Sequence, residues 1–151
     1  MSSVHIEAVA EATDELVEAF ERLIPQLSSS WQPMDHEEVA AVVADPASTI
    51  FIARRPEGTI VGTLTLVVFA IPTGVRAWIE DVVVDEAARG LGAAKALVRA
   101  GLELAQARGA LTVDLTSRPS RAAANQLYLT MGFELRETNV YRVVLEGTAD
   151  A

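Results

Sequence analysis

The sequence contains no cysteine and only two histidines among its 151 residues. Without cysteine, disulfide bonds, thiolate metal sites and a cysteine nucleophile are excluded. The two imidazoles, His5 and His36, are too few for a histidine-rich metal centre. We therefore predict that the protein holds no metal.

Positive charge is also scarce, because 12 lysines and arginines stand against 21 aspartates and glutamates, a net charge of −9. A general nucleic-acid binder needs a basic surface to neutralise phosphates, so we expect no nucleic-acid partner. The same balance says little about a small substrate, since a pocket can carry a local charge of its own.

Long hydrophobic runs are missing as well. The longest run, IVGTLTLVVFAI, has about twelve residues, well short of the roughly twenty that a membrane helix needs. The acidic N-terminal stretch MSSVHIEAVAEATDE lacks the apolar core of a signal peptide. We expect no membrane partner and a cytoplasmic location.

The length fits one domain, because 151 residues, half of them hydrophobic, can bury a sizeable core. No repeat, low-complexity segment or linker divides the sequence. We predict a single domain over residues 1–145 and a loose tail over residues 146–151.

Apolar spacing, glycines and prolines predict the element order β-α-α-β-β-β-α-β-α-β-β. Helices are predicted in ATDELVEAFERLIPQL, DHEEVAAVVADP, 92–106 and SRAAANQLYLTMG, and strands in VHIEAV, STIFIARR, TIVGTLTLVVFAI, VRAWIEDVVVD, LTVDLT, FELRET and VYRVVL. Thr13 or Asp14 and Ser120 are candidate helix caps, and Pro25 should disturb the end of the first helix. Helices and strands alternate only in the second half, which favours an α/β protein with a mixed sheet and helices on its faces.

The segment VVVDEAARGLGAAKAL runs from a strand through a glycine-containing turn into a helix. No serine, threonine, aspartate or asparagine stands next to the helix start, so its first backbone N–H groups have no cap. An anion could satisfy them, because a helix N-terminus is partly positive and Gly90 and Gly92 permit close approach. A plain strand–turn–helix with water on the N–H groups fits these residues equally well.

This segment resembles motif A of the GNAT acetyltransferases, whose signature [RQ]-x-x-G-x-[GA] is matched by Arg89, Gly92 and Ala94. The resemblance implies the GNAT fold, a central mixed and mostly antiparallel sheet flanked by helices, with acetyl-coenzyme A as cosubstrate. It also implies that the strand lies along the pantetheine arm and that the loop amides hold the pyrophosphate. The implied cofactor-binding residues are Val82, Val83, Val84, Arg89, Gly90, Leu91, Gly92, Ala93, Ala94 and Lys95.

The downstream segment ANQLYLTMGF resembles motif B of the same family, in which A-x-x-L-Y on a helix is followed by G-F entering a strand. The matching residues are Ala124, Leu127, Tyr128, Gly132 and Phe133. The asparagine that the family usually has seven residues before the tyrosine is Arg121 here. The nearby Asn125 is therefore a candidate for a cofactor contact.

Acetyl transfer from a thioester to an amine needs a neutral amine, a stabilised carbonyl oxygen and a proton for the departing thiolate. The family commonly has a tyrosine acid at the position of Tyr128. A phenol has an ordinary pKa of about 10 and is protonated at neutral pH. The alternative for Tyr128 is a core aromatic packed against the sheet.

Two adjacent acids on a strand, Glu80 and Asp81, are the candidate bases. Strict alternation places Glu80 on the face of Val82 and Val84, and Asp81 on the opposite face. We favour Glu80, acting directly or through a water, and an ordinary strand carboxylate is the alternative. The backbone N–H of Val82 is the candidate donor to the carbonyl oxygen.

The resemblance predicts an N-acetyltransferase that transfers acetyl directly to a primary amine in a ternary complex, since no cysteine can carry the acetyl group. The acceptor is expected to be a small molecule, such as an amino sugar or an amino-acid-like compound, with a peptide or protein amine left open. Trp31 and Met34 lie in a region that often borders the substrate in this family, or else they pack in the core. A homodimer is common for the fold and is expected here.

Two alternatives remain open. One is a non-catalytic module that binds or senses acyl-coenzyme A on the same fold, against which Tyr128 and the strand carboxylates argue. The other is a structural protein that binds no coenzyme A.

Overall fold

A computed structural model of the protein describes residues 4–146. The elements are β1 (His5–Ala8), α1 (Asp14–Leu23), a 3-10 turn (Ile24–Gln26), α2 (His36–Ala44), β2 (Ser48–Arg54), β3 (Ile60–Ile71), β4 (Gly74–Val84), a second 3-10 turn (Glu86–Ala88), α3 (Ala93–Ala107), β5 (Thr112–Asp114) and α4 (Ala122–Thr130). Among these residues, no helix is long and apolar enough to cross a membrane.

The five strands form one sheet in the order β1-β2-β3-β4-β5. Neighbouring strands are antiparallel except β4 and β5, which are parallel. The parallel pair is separated by α3, the kind of helical crossover that parallel strands need. The predicted mixed and mostly antiparallel sheet with helices is confirmed.

The chain divides into two compact units, of which the first ends at Thr116 and the second begins at Ser117. The first unit contains the whole sheet and α1 to α3, and the second contains α4 and the residues that follow it. The predicted tail at 146–151 lies outside the described residues, except for Glu146.

The first helix begins and ends where its sequence predicts. Thr13 is the cap, since its Oγ1 accepts a hydrogen bond from the Leu16 N–H at 3.1 Å. Pro25 lies in the 3-10 turn that follows α1, because proline cannot continue the α-helical hydrogen bonds. The spacing of Leu16, Phe20 and Leu23 gives α1 one buried face.

Alternation along β3 assigns the helices to the two faces of the sheet. Gly62 and Leu64 lie on one face and Thr63 and Thr65 on the other. On the first face α3 packs closely, since a Cβ on Gly62 would lie 3.1 Å from Cδ1 of Leu97. The other face carries a core of residues from α1, α2, β2 and β4, among them Leu16, Phe20, Leu23, Val39, Ile50, Ile52 and Val83.

Two predictions in the second unit are wrong. The residue that precedes α4 is Arg121 rather than Ser120, and it makes no side-chain cap. The segments FELRET and VYRVVL form no strand within residues 4–146, and Leu135 and Tyr141 are 93% and 87% exposed. Their alternation is strand-like, but a strand exists only when a neighbouring strand completes its hydrogen bonds, which propensity cannot supply.

Candidate active site

The turn after β4 is held by hydrogen bonds from three parts of the first unit. Asp85 caps it, since its Oδ1 accepts from the Ala87 N–H at 3.1 Å. Arg55, at the β2–β3 turn, donates from Nη2 to the Ala87 carbonyl at 3.1 Å. Gln26, after α1, accepts the Glu86 N–H at 3.1 Å through Oε1. The chain therefore enters the next segment, residues 89–92, from a fixed position. We call this segment the glycine loop.

The two glycines of the loop have backbone torsions that other residues rarely adopt. Gly90 has φ of 89° and Gly92 has φ of 74°. A Cβ added to either would meet no atom within 4 Å among the described residues. The glycines are therefore needed for the left-handed turn rather than for packing, and the space beside them is open.

The start of α3 leaves backbone donors without helical partners. Gly92 precedes the helix and makes no side-chain cap. The first hydrogen bond into the helix runs from the Ala96 N–H to the Gly92 carbonyl at 3.0 Å. The N–H groups of Ala93, Ala94 and Lys95 precede that bond and lie at the positive end of the helix dipole. The missing cap predicted from the sequence is confirmed.

The end of β4 presents a backbone edge near this loop. Pairing of β4 with β5 covers only Arg76 to Trp78. Val82, Val83 and Val84 therefore have β3 on one side and, within residues 4–146, no strand on the other. Such an edge can hydrogen-bond an extended ligand in the manner of an added strand.

A β-bulge separates Glu80 from the end of β4. Thr65 pairs with Glu80 whereas Thr63 pairs with Val83, so β4 has one residue more than β3 between these pairs. Within the bulge Asp81 has φ of 51°, a left-handed conformation. The strict alternation predicted for Glu80 and Asp81 is therefore wrong, because the extra residue shifts the facing of every side chain beyond it.

The bulge points Asp81 toward a cavity of about 100 Å³ under α1 and α2. Its lining residues are Phe20, Ile24, Trp31, Met34, Val42, Ile50, Thr63, Thr65 and Asp81. Trp31 and Met34 also pack against the core, which is one of the two roles left open for them; a contact with the substrate stays a prediction. Since Asp81 is exposed as well as cavity-lining, it lies at the mouth of the cavity. Partial burial raises the pKa of its carboxyl above the ordinary value.

The acid favoured from the sequence, Glu80, lies next to this cavity without lining it. Glu80 is exposed and lies opposite Thr65 of β3, a residue that lines the cavity, so both are on the same face of the sheet. Within the described chain, the set of cavity-lining residues includes Asp81 and not Glu80. Alternation alone missed this difference, because a bulge is a property of the register between two strands and has no signal in either strand's own sequence.

A second, larger depression of about 610 Å³ lies along α1 and the β2–β3 turn. It includes no residue of β4 or of the glycine loop. Arg54, one of its charged residues, is paired with Glu15 at 2.8 Å. The residues that line this depression are therefore not those expected to bind acetyl-coenzyme A or to transfer the proton.

The second unit carries the candidate acid and the asparagine of α4. The rings of Tyr128 and Phe133 meet edge to face with centroids 5.7 Å apart. Burial raises the pKa of the Tyr128 phenol, and the nearby positive charge of Arg121 opposes that rise. The hydroxyl is thus held in its protonated form at neutral pH, as a proton donor requires.

The side chain of Asn125 is engaged within its own unit. Its Nδ2 donates to the carbonyls of Arg118 and Arg121, each at 2.9 Å. Both amide hydrogens are therefore used, and a contact with a cofactor would have to go through Oδ1. The loop, the β4 edge and both acids belong to the first unit, whereas Tyr128 and Asn125 belong to the second.

Comparison with known proteins gives consistent likenesses. The model of the acetyltransferase (GNAT) family matches residues 12–133. A search of curated proteins found no match.

Solved structures resemble this chain over nearly its whole length. A protein from Agrobacterium tumefaciens proposed to be an acetyltransferase is 28% identical, with a TM-score of 0.79, over 93% of this chain and 99% of that chain. A ribosomal-protein-alanine N-acetyltransferase from Brucella melitensis is 21% identical, with a TM-score of 0.74, over 94% and 99%. An aminoglycoside acetyltransferase from an uncultured soil metagenomic sample, in complex with sisomicin, is 19% identical, with a TM-score of 0.79, over 95% and 97%.

The family match spans β2 to β5, the glycine loop and the helix that carries Tyr128. The two solved structures with 21% and 19% identity show the fold alone. Since the family model covers well over half of the sequence, the chain belongs to the acetyltransferase (GNAT) family and is an acyltransferase.

Proposed function

We propose that the protein transfers the acetyl group of acetyl-coenzyme A to the primary amine of a small molecule, by direct attack in a ternary complex. The observation that carries this proposal is the pair of left-handed glycines leading into the uncapped start of α3. The aminoglycoside acetyltransferase in complex with sisomicin, which has the same fold, supports a small-molecule acceptor. A homodimer and a cytoplasmic location remain expectations that accompany the proposal.

The loop residues fit the pyrophosphate of acetyl-coenzyme A. The N–H groups of Ala93, Ala94 and Lys95 offer donors at a helix N-terminus, where an anion is favoured. The exposed side chains of Arg89 and Lys95 add positive charge in a chain that has little of it. The open space beside Gly90 supplies room for phosphate oxygens.

The end of β4 would bind the pantetheine arm and the acetyl group of acetyl-coenzyme A. Val82, Val83 and Val84 would pair their open backbone edge with the amide groups of the pantetheine arm. The N–H of Val82, which lies in the bulge with Asp81, is the donor proposed for the carbonyl oxygen of the acetyl group. When bound, acetyl-coenzyme A supplies an acetyl group that is activated as a thioester.

The two side chains proposed for proton transfer act on different groups, one on the attacking amine and the other on the departing thiolate. A carboxylate at the bulge accepts the proton that the amine must lose to become nucleophilic. Tyr128 gives its phenolic proton to the departing thiolate, so that the C–N bond forms as the C–S bond breaks. Glu80 is the proposed base, and Asp81 is its rival because the bulge turns it toward the cavity.

Replacing Tyr128 by phenylalanine removes the proposed acid and keeps the ring that packs on Phe133. We expect kcat to fall by roughly 10²-fold or more, with little change in the free energy of unfolding. Steady-state kinetics with acetyl-coenzyme A and an accepted amine measures the change. The control is Tyr141→Phe at the other tyrosine, which is exposed and should keep wild-type kcat. An unchanged kcat in Tyr128→Phe, with chemistry rate-limiting, would remove this role.

The two carboxylates can be separated by the pH dependence of kcat at saturating amine. If Glu80 accepts the proton, Glu80→Gln loses the rise of kcat on the acid side of the profile and falls by roughly 10²-fold. Asp81→Asn is the matched variant and should keep that rise, because saturation compensates for any weaker binding of the amine. Loss of the rise in Asp81→Asn and its retention in Glu80→Gln would assign the base to Asp81 instead.

The raised pKa of Asp81 also predicts how stability depends on pH. The folded protein holds this proton more tightly than the unfolded chain, whose ordinary pKa is 3.8. The resulting stabilisation is complete below that value and is lost as the pH rises through the folded-state pKa. Asp81→Asn should therefore be more stable than wild type at about pH 7, and the difference should shrink toward about pH 4.

Urea unfolding of both proteins at the two pH values measures this difference. Asparagine tolerates the left-handed torsion of this position, so the substitution adds little strain. Asp81→Ala is the control, since it also removes the charge but adds about 1 kcal/mol of backbone strain at either pH. A stability difference for Asp81→Asn that is independent of pH would show that burial of the charge is not its cause.

A further inference from the structure

The cavity beside Asp81 has walls that are mostly apolar. Its hydrocarbon and thioether surfaces come from six side chains of α1, α2, β2 and the intervening loop: Phe20, Ile24, Trp31, Met34, Val42 and Ile50. Apart from the indole N–H of Trp31, only Thr63, Thr65 and Asp81 contribute polar side-chain groups among its described lining residues. A ligand that enters this cavity must therefore bury carbon rather than hydroxyl groups.

The polar groups of the cavity are few and partly committed. The hydroxyl of Thr63 is buried and donates to the Phe51 carbonyl at 3.0 Å. That hydrogen is unavailable to a ligand, although the oxygen can still accept. A sugar hydroxyl placed against the apolar wall would lose water without gaining a partner, which a hydrophobic pocket penalises.

The charge of the cavity is negative and lies at its mouth. Asp81 lines the cavity and remains exposed, and the bulge fixes its backbone in a left-handed conformation. A left-handed backbone conformation is strained for a residue other than glycine. Such residues are found most often at functional sites, where the surrounding structure stabilises them. An ammonium group beside the carboxylate would offset the desolvation that disfavours its ionised form.

We propose, resting on the acetyltransferase function above, that the acceptor is a compact and mostly apolar primary amine. Its ammonium group pairs with Asp81 at the mouth, and its hydrocarbon part enters the cavity beside Trp31 and Met34. The volume of about 100 Å³ is smaller than that of an apolar cavity of about 150 Å³ that can hold benzene, so a short hydrocarbon chain is the kind of group that fits. A short alkylamine satisfies these limits, whereas a polyhydroxylated amino sugar or aminoglycoside does not.

The test compares kcat/KM for thiol release from acetyl-coenzyme A across matched acceptors. n-Butylamine and 3-methylbutylamine represent the proposed class, 4-amino-1-butanol adds a terminal hydroxyl, and glucosamine and sisomicin represent polyhydroxylated amines. We expect kcat/KM to be roughly 10²-fold higher for the alkylamines than for the hydroxylated acceptors. Equal values, or a preference for glucosamine or sisomicin, would overturn the proposal while leaving the acetyltransferase function intact.

Two variants connect the preference to the cavity. Met34→Gln keeps the length of the side chain but adds an amide, and should reduce the alkylamine preference by roughly tenfold or more. Leu135→Gln makes the same kind of change at a residue that is 93% exposed and should keep the preference. An unchanged preference in Met34→Gln, or an equal loss in Leu135→Gln, would contradict the proposed contact.

Direct binding separates failure of this proposal from failure of the function. Calorimetric titration of n-butylammonium into protein saturated with coenzyme A should show saturable binding, weakened at least tenfold in Asp81→Asn. If coenzyme A does not bind and no amine is acetylated, the proposed function fails, and the same titration on the free protein then decides the amine site. Binding that is absent in wild type, or equal in Asp81→Asn, would overturn the proposal in either case.

Discussion

The unsatisfied backbone N–H groups at the start of α3 are the constraint around which the first unit is built. A helix start without a side-chain cap leaves its first N–H groups to water or to a ligand, and here Gly90 and Gly92 turn the chain so that no side chain fills the space beside it. Asp85 and Arg55 fix the turn that precedes the loop. Ordering a flexible loop on binding has a free-energy cost, whereas a turn already held by Arg55 and Gln26 presents its donors in place.

The β-bulge in β4 links this anion site to the rest of the proposed chemistry. One extra residue opposite Leu64 turns Asp81 toward the apolar cavity, and the backbone edge of Val82 to Val84, which β5 leaves uncovered, follows directly along the strand. Of the two neighbouring acids, Asp81 in the bulge lines the cavity, whereas Glu80, which lies opposite the cavity-lining Thr65, does not. Cofactor attachment, acceptor recognition and proton removal would then meet along a few residues of one strand.

Sequence reasoning predicted the parts of the fold that depend on local chemistry. The Thr13 cap, the turn at Pro25 and the uncapped start of α3 are each set by residues within a few positions of one another. It failed where the outcome depends on a distant partner: the bulge at Asp81 requires the register of β3 against β4, and the strand-like residues after Phe133 have no described strand to pair with. The family resemblance supplied the roles predicted for Tyr128 and the glycine loop, which physical patterns alone had left open.

The central claim, that the start of α3 binds the pyrophosphate of acetyl-coenzyme A, is tested most directly by two-dimensional amide NMR. Saturation with acetyl-coenzyme A should shift the N–H resonances of residues 90 and 92–95, whose groups lie in the loop and first turn of α3. Acetyl-pantetheine lacks the pyrophosphate and should shift Val82 to Val84 while leaving those resonances in place. Binding of acetyl-coenzyme A that leaves the α3 amides unshifted would contradict the account.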